Sequence, residues 1–312
     1  IKGYERSLDY TLNVLDDVKI SSNNLDQKIM KQLLVTCLDG KALFDLYESQ
    51  EKISNLMIES ISCIRDFKNN YINTDDIKIE EKIGNISETQ LIRGTILDKT
   101  IDSSAMPRSI DNPKILLINE SLETMKTKSE SEIEITSPEQ MSQFLIQENT
   151  DLEILVKKII DADIDVVISR KGVNDFVQEA LAQKGIITIR RVKYNDLWWL
   201  EKATGAKTCK DIHKISVDEI GYAKKIYEKI IGGDKMIFVE GVNPKSVTLL
   251  LRANSKRYLD ELHRNALNGF KVLKNFIENP FIVFGAGSIE GIIAEKISNH
   301  STTVCNYEQI VF

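Results

Sequence analysis

Cysteine, histidine, proline and tryptophan are all scarce: the 312 residues include four cysteines, three histidines, five prolines and two tryptophans. Cys37, Cys63, Cys209 and Cys305 lie far apart and form no CxxC pair, which argues against a disulfide framework. His213, His263 and His300 are equally scattered. None has a Cys, His or carboxylate at ligand spacing, so no structural metal site is expected. No apolar run reaches membrane-spanning length, and no stretch has the basic start and apolar middle of a signal peptide. A net charge of -6 argues against general nucleic-acid binding. The basic cluster Arg190-Arg191-Val-Lys193 is short, ends a strand pattern, and reads as a solvated edge rather than a phosphate track. There is no P-loop GxxxxGK[ST], and no Ser/His/Asp set can be assembled. A soluble cytoplasmic protein is expected, binding neither nucleic acid nor membrane.

What is present falls into three stretches. Up to about residue 67 the apolar residues keep a helical period: Leu8, Leu12 and Leu15; then Ile29, Met30, Leu33 and Leu34; then Ile53, Leu56, Met57, Ile61, Ile64 and Phe67. No proline interrupts this part, since the first is Pro107, and Asn69-Asn70 reads as a stop. The middle is different. Lys114–Asn119, Asp165–Ser169, Gly185–Val192, Lys235–Glu240 and Ser246–Arg252 are β-branched and apolar, with helical patterns between several of them, which predicts a layered α/β unit. Asn174–Lys184 and Asn195–Lys202 read as helices, and Ser216-Val-Asp-Glu219 fits a capping box. Tyr222–Ile231 reads as a short helix turning into a hairpin strand, because Gly232-Gly233 is a hairpin signal. The last stretch is helical again, with Leu259, Leu262, Ala266, Phe270, Leu273 and Ile277 on one stripe. Its partner is expected to be the helical first part, with the α/β unit inserted between them.

Ser137–Asp161 stands apart. Ser137-Pro-Glu starts a helix with proline at the first position. Met141, Phe144, Leu145 and Ile146 follow, Asn149-Thr150-Asp151 interrupts, and Leu152, Leu155, Val156, Ile159 and Ile160 resume at helical spacing. The first apolar group either packs into the common core or forms an exposed binding patch. On the Asn174–Lys184 helix, Phe176, Val177, Ala180 and Leu181 form the apolar side; Asn174, Gln178, Glu179 and Gln183 form a polar one. That polar face is either an ordinary solvated surface or an adaptable surface for many partners. Trp198 and Trp199 are adjacent and cannot share one face, so at least one is expected in the core.

The wording GGDKMIFVEGVNPKSVTLLLR at Gly232–Arg252 closely resembles the apical domain of group II chaperonins, the archaeal thermosome and its eukaryotic cytosolic relatives. KATGAK at Lys202–Lys207 and ILDKTIDSSAMPRSIDNPKILLINESLE at Ile96–Glu123 extend the resemblance in the family's order over nearly the whole chain. It implies an α/β apical domain, layered sheet and helices with a helical protrusion, inserted into a mainly helical intermediate domain, with most of the equatorial domain absent. By this resemblance residues 1–20 and 280–312 are equatorial remnants, 21–93 and 254–279 the intermediate domain, and 94–253 the apical domain with its protrusion at about 131–161. The implied function is a chaperone subunit that binds unfolded proteins and encloses them under a built-in lid in an ATP-driven double ring with other chaperonin subunits. Met141, Phe144, Leu145 and Ile146 would lie near the lid tip. Asn174, Gln178, Glu179 and Gln183 would face the cavity and substrate.

Resemblance also bears on nucleotide. The family's Gly-Asp-Gly-Thr-Thr type phosphate motif is absent, so ATP and Mg are expected in a full-length protein and none bound to this chain. Asp39-Gly40-Lys41 resembles the loop whose lysine senses the terminal phosphate, with Gly40 and Lys41 as the sensing pair; in isolation it reads equally as a polar turn between helices. His263-Arg-Asn-Ala-Leu267 carries Asn265 where the family has an aspartate that helps activate the hydrolytic water. An amide orients a water but takes no proton. Asp260, about 140° round the helix, is not expected to substitute. The alternative is therefore a hydrolysis-impaired regulatory or specialised substrate-binding subunit. Phe284-Gly-Ala-Gly-Ser-Ile-Glu290 lacks the third glycine of GxGxxG and instead resembles a degraded form of the family's glycine-rich return turn.

Overall fold

Long amphipathic stripes at both ends of the chain need a common partner, and they find it in one another. The structure, a computed structural model, describes residues 2–22, 26–39, 47–65, 71–123, 138–210 and 212–304. It opens with α1 (Lys2–Val18), a short β1 (Ile20–Ser21), α2 (Gln27–Leu38) and α3 (Tyr47–Ile64). Asp26 caps α2, accepting from the backbone N–H groups of Lys28 and Ile29 at 2.9 and 3.4 Å. Three strands follow: β2 (Ile77–Ile83), β3 (Gln90–Ile92) and β4 (Gly94–Leu97). Next come β5 (Ser109–Asp111), β6 (Lys114–Ile118), α4 (Pro138–Asp161), β7 (Val166–Ser169), α5 (Asp175–Gln183), β8 (Ile187–Ile189) and α6 (Tyr194–Thr204). The chain finishes with β9 (Ile220–Ile231), β10 (Asp234–Gly241), β11 (Val247–Ala253), α7 (Lys256–Glu278), β12 (Phe281–Ile282) and α8 (Ser288–Ser301). No helix among the described residues is long and apolar enough to cross a membrane.

The expected stripe of α7 is the core of the helical layer. Leu259, Leu262, Ala266, Phe270, Leu273 and Ile277 are all buried, packed with Met30 and Leu34 of α2, Ile53, Met57 and Ile61 of α3, and Leu249 and Leu251 of β11. Close approach is enforced at Gly269, where a Cβ would come within 2.4 Å of the Met57 side chain and 3.0 Å of Leu34. The small sheet against these helices has the order β2-β11-β3, with β11 parallel to β2 and antiparallel to β3.

The larger sheet runs β4-β10-β9-β6-β7-β8, with β5 paired to β9. Its central strands are buried on both faces, which explains their continuous apolar sequence. Ile115, Leu117, Val166 and Ile168 enter one core, which Leu197 and Leu200 of α6 close. Leu116, Ile118 and Val167 enter the other, closed by Leu152, Leu155, Val156 and Ile159 of α4 and by Val177 and Leu181 of α5. Side chains that alternate along a strand thus fill two separate layers.

Four expectations fail, each for a physical reason. Tyr222–Ile231 contains no helix: it lies wholly within β9, which pairs with β10, β5 and β6. The hairpin turn is as expected, with Gly232 and Gly233 at φ 63° and 93°. Asn149-Thr150-Asp151 does not interrupt α4, which is one 24-residue helix. Its second half is pinned by Leu152, Leu155, Val156 and Ile159, so the three polar residues continue a helix already held in place. Leu8 and Leu12 do not face a core; with Tyr4 they form an exposed stripe on α1, whose packing partner is α8. Tyr10 and His300 stack there with ring centroids 4.0 Å apart. The paired strands β1 and β12 hold the base of both helices, and no described residue covers the stripe. Lastly, neither Trp198 nor Trp199 is core: both are half-buried at the seam between α6 and β2. Phe67 and Asn69-Asn70 lie outside the described residues.

Candidate functional site

The end of the larger sheet where α5 and α6 begin carries the exposed aromatic surface. Asn174 caps α5, its Oδ1 accepting from the Phe176 N–H at 2.8 Å. Each helix start is tied to the end of a strand. Arg190 bonds Asp175 at 3.1 Å, and the Arg170 guanidinium lies 5.4 Å from the ring centroid of Tyr194. Arg190 also bonds Asp102 at 2.9 Å, tying the end of β8 to the loop after β4. On this frame Phe176 is 42% exposed and Tyr194 66%. Glu179 and Gln183 are exposed on the same face of α5 as Phe176.

Gln178 corrects the expected polar face. It is buried with Val177, Leu181 and Ala182, so the buried arc of α5 is rotated toward the 178–182 edge and Phe176 is turned out. Ala182 was the available signal: with Val177 and Leu181 it centres the apolar arc away from Phe176. Met141, Phe144, Leu145 and Ile146 belong to the first half of α4, and their side chains lie outside what is described, as does the segment 124–137. Nearer its anchored end the helix exposes Ile154.

A second site sits where α6 meets β2 and α7. A cleft of about 770 Å³ is lined by Tyr194, Trp198, Trp199, His263, Leu267 and Lys271. The two indoles meet edge to face at 6.1 Å, and Trp199 Nε1 donates to the Asp75 carbonyl at 3.0 Å. Beneath them Lys78 is buried. Its Nζ donates to Asp196 Oδ1 and to the Ile96 carbonyl, each at 2.6 Å, and lies 3.5 Å from Glu80. Burial pushes the Glu80 carboxyl above its ordinary value, and the neighbouring Lys78 offsets only part of that. Lys202 adds an ion pair with Asp76 and lies 4.0 Å from the Trp198 ring centroid. These contacts moor α6 to the strand entering the small sheet.

Of the residues expected to meet nucleotide, only Asn265 is among those described. Gly40 and Lys41 lie outside the described residues; Asp39 before them ends α2, its N–H donating to the Val35 carbonyl at 2.8 Å. Asn265 is only 1% exposed, and its Nδ2 has no hydrogen-bond partner among the described residues. It lies one turn before Gly269, the residue of α7 that abuts Met57 and Leu34. Asp260 is on the surface, paired with Lys256 at 2.8 Å. Glu81 accepts from both Lys256 and His263. Burial alone would raise the Glu81 carboxyl, but these two hydrogen bonds outweigh it and hold the group below its ordinary value. In the glycine-rich turn, Ala286 and Gly287 have φ of 57° and 79°, and Ser288 Oγ donates to the Gly285 carbonyl at 2.6 Å. The strand before it has two residues and pairs antiparallel with β1, so it is no βαβ dinucleotide loop.

Comparison with known proteins follows the same lines. The model of the TCP-1/cpn60 chaperonin family matches residues 1–312. A thermosome subunit of Pyrococcus horikoshii is 36% identical over 314 aligned residues, covering 99% of this chain and 57% of that protein. The thermosome subunit beta of Thermococcus kodakarensis is 35% identical, with the same two coverages. The open-state monomer of a group II chaperonin from Methanococcoides burtonii superposes with a TM-score of 0.72 at 27% identity, over 99% of this chain and 71% of that one. The chain thus spans 57% of the length of those thermosome subunits.

Proposed function

Because the chain belongs to the TCP-1/cpn60 chaperonin family, we propose that it is the substrate-binding and hinge portion of a molecular chaperone subunit. It holds non-native polypeptide on the end of its α/β unit. In the full-length protein, ATP and Mg bound by the remaining part of the subunit drive a double ring of such subunits in the cytoplasm. In this reading residues 94–253 are the apical domain and α4 the stem of the lid protrusion at about 131–161. Residues 21–93 with 254–279 form the intermediate domain, and 1–20 with 280–312 are equatorial remnants. Met141, Phe144, Leu145 and Ile146 lie toward the lid tip, and Gly40 and Lys41 sense the nucleotide.

One observation carries the capture surface. Phe176, with Glu179 and Gln183, is exposed on α5 after its cap Asn174, and Tyr194 is exposed at the start of α6. Weak capture of many sequences needs such a mixture, modest apolar area among adaptable polar groups. The test is light scattering of an aggregating unfolded protein with this chain present and ATP absent. It is run beside Phe176→Ser/Tyr194→Ser and beside a version with residues 137–161 replaced by a short linker. Suppression lost only in the double variant supports the α5–α6 surface. Suppression lost only with the linker transfers capture to the protrusion. Undiminished suppression by both would remove the aromatic pair from the account.

A second reading rests on Asn265. A subunit without the family's aspartate is a hydrolysis-impaired regulatory or specialised substrate-binding member of a hetero-oligomeric ring. Hydrolysis by the full-length protein, measured beside Asn265→Asp, separates the two. Equal rates would sink the impaired-subunit reading.

A further inference from the structure

The loop after β4, the end of β8 and the β9–β10 turn converge on a cleft of about 630 Å³ that is almost wholly charged. Five cationic and three acidic side chains line it, in a chain whose net charge is -6. The three carboxylates are already committed. Asp98 and Asp234 both pair with Lys82, at 3.3 and 2.8 Å. Asp102 pairs with Arg190 at 2.9 Å. Three cations remain. The side chains of Lys99 and Arg191 have no ion pair or hydrogen bond among the described residues, and Lys235 reaches only Glu228, at 3.8 Å. Arg191 is also held at φ 57°, a left-handed conformation that an arginine does not favour. Its backbone is fixed there by an N–H bond to the Lys171 carbonyl at 3.1 Å.

We propose that this cleft binds a compact, multiply charged oxyanion: a pyrophosphate-type phosphate chain, either free or carried by a nucleotide. The excess positive charge sets the sign of the ligand. Arg191 supplies a planar fork suited to two phosphate oxygens, and Lys99 and Lys235 supply point charges. Several negative charges on the ligand are required, because a single ion pair in an exposed cleft is screened by salt. The ligand adds a bond between the β9–β10 turn and the ends of β4 and β8, so binding raises the melting temperature.

Melting of the chain is followed while pyrophosphate is added, against sodium chloride at matched ionic strength, with ADP and AMP as further titrants. The expected result is a saturable upward shift with pyrophosphate that sodium chloride does not reproduce. Lys99→Ala/Arg191→Ala should weaken it about tenfold or more, while Lys157→Ala on α4 leaves it unchanged. A far-ultraviolet spectrum and ligand-free melt equal to those of the parent exclude misfolding of the double variant. Should that variant melt early, Arg191→Lys, which keeps the charge but loses the fork, must still weaken binding. ADP binding as pyrophosphate does, with AMP inactive, identifies the chain on a nucleotide; pyrophosphate alone identifies the free anion. The proposal is overturned by a shift that sodium chloride matches, or by one that survives loss of Lys99 and Arg191.

Discussion

Replacing Lys78 by methionine tests the mooring of α6 most directly. Methionine keeps the apolar stem and removes the charge. Lys78 is 6% exposed and Asp196 9%. The change leaves the Asp196 carboxylate and the Ile96 carbonyl without the donor that each now holds at 2.6 Å. Breaking a buried pair from one side costs about 3–5 kcal/mol. Unfolding entropy of about 2.1 cal/mol/K per residue, over 312 residues, is about 0.65 kcal/mol/K. If the chain melts as one unit, the melting temperature falls about 5–8 °C. The loss is also pH-dependent. Glu80 already has a raised pKa from burial, and Lys78 is the neighbour that lowers it. Without Lys78 the carboxyl rises further. An acid whose folded pKa exceeds its unfolded value stabilises least when ionised, so stability falls as pH rises from the unfolded pKa through the folded one. The deficit of Lys78→Met should therefore be smaller at pH 5 than at pH 8. Lys78→Met/Asp196→Asn should recover most of the loss, since no buried charge is then stranded at Asp196. Circular-dichroism melts give the stability, and tryptophan emission reports the seam, because Lys78 lies 5.1 Å from the Trp199 ring centroid. A deficit under about 1 kcal/mol, or a double variant no better than the single, would refute the reasoning.

Further outcomes follow from single positions. Gly94 has φ 149°, and a Cβ there would come 2.0 Å from the Val239 carbonyl, so Gly94→Ala should cost about 2 kcal/mol or more in urea denaturation. Asn265 is buried and its Nδ2 has no hydrogen-bond partner among the described residues, so Asn265→Asp buries an unpaired carboxyl. It should cost about 2–4 kcal/mol at neutral pH, and the penalty should shrink as pH falls and the acid protonates. Glu81 has a lowered pKa, so its contribution is present above the unfolded value and lost as pH falls through the folded one; Glu81→Gln should flatten the acid limb of a pH-stability curve. Leu273→Ala, at a fully buried position of α7, should lose about 2–5 kcal/mol in the same denaturation assay.

Residues whose burial is set by their own element were legible in the sequence. The stripe of α7 was legible from its period, and all six of its residues are buried. Ile115–Ile118 was legible as a strand because an apolar run that short has to be covered on both sides. Asn174 and the Gly232-Gly233 turn were legible because their backbone geometry is local. The other outcomes depended on neighbours distant in sequence. Tyr222–Ile231 fits either period, and ladders with β10, β5 and β6 decided it. Asn149–Asp151 stays helical because the residues after it are anchored in a core formed by β6 and β7. Gln178 and Phe176 exchanged faces because Ala182 and Leu181 seat α5 on that core's edge, a rotation of about one residue that helical period alone leaves open. Trp198 and Trp199 settled at a seam whose other wall, Asp75 to Lys78, is more than a hundred residues away in the chain. Local preferences amount to a few tenths of a kcal/mol per residue, to about 1, whereas packing a large side chain or pairing a buried charge decides several. Sequence therefore determined which segments could become helix, strand or turn, and tertiary contact chose among the arrangements that local energies left nearly equal.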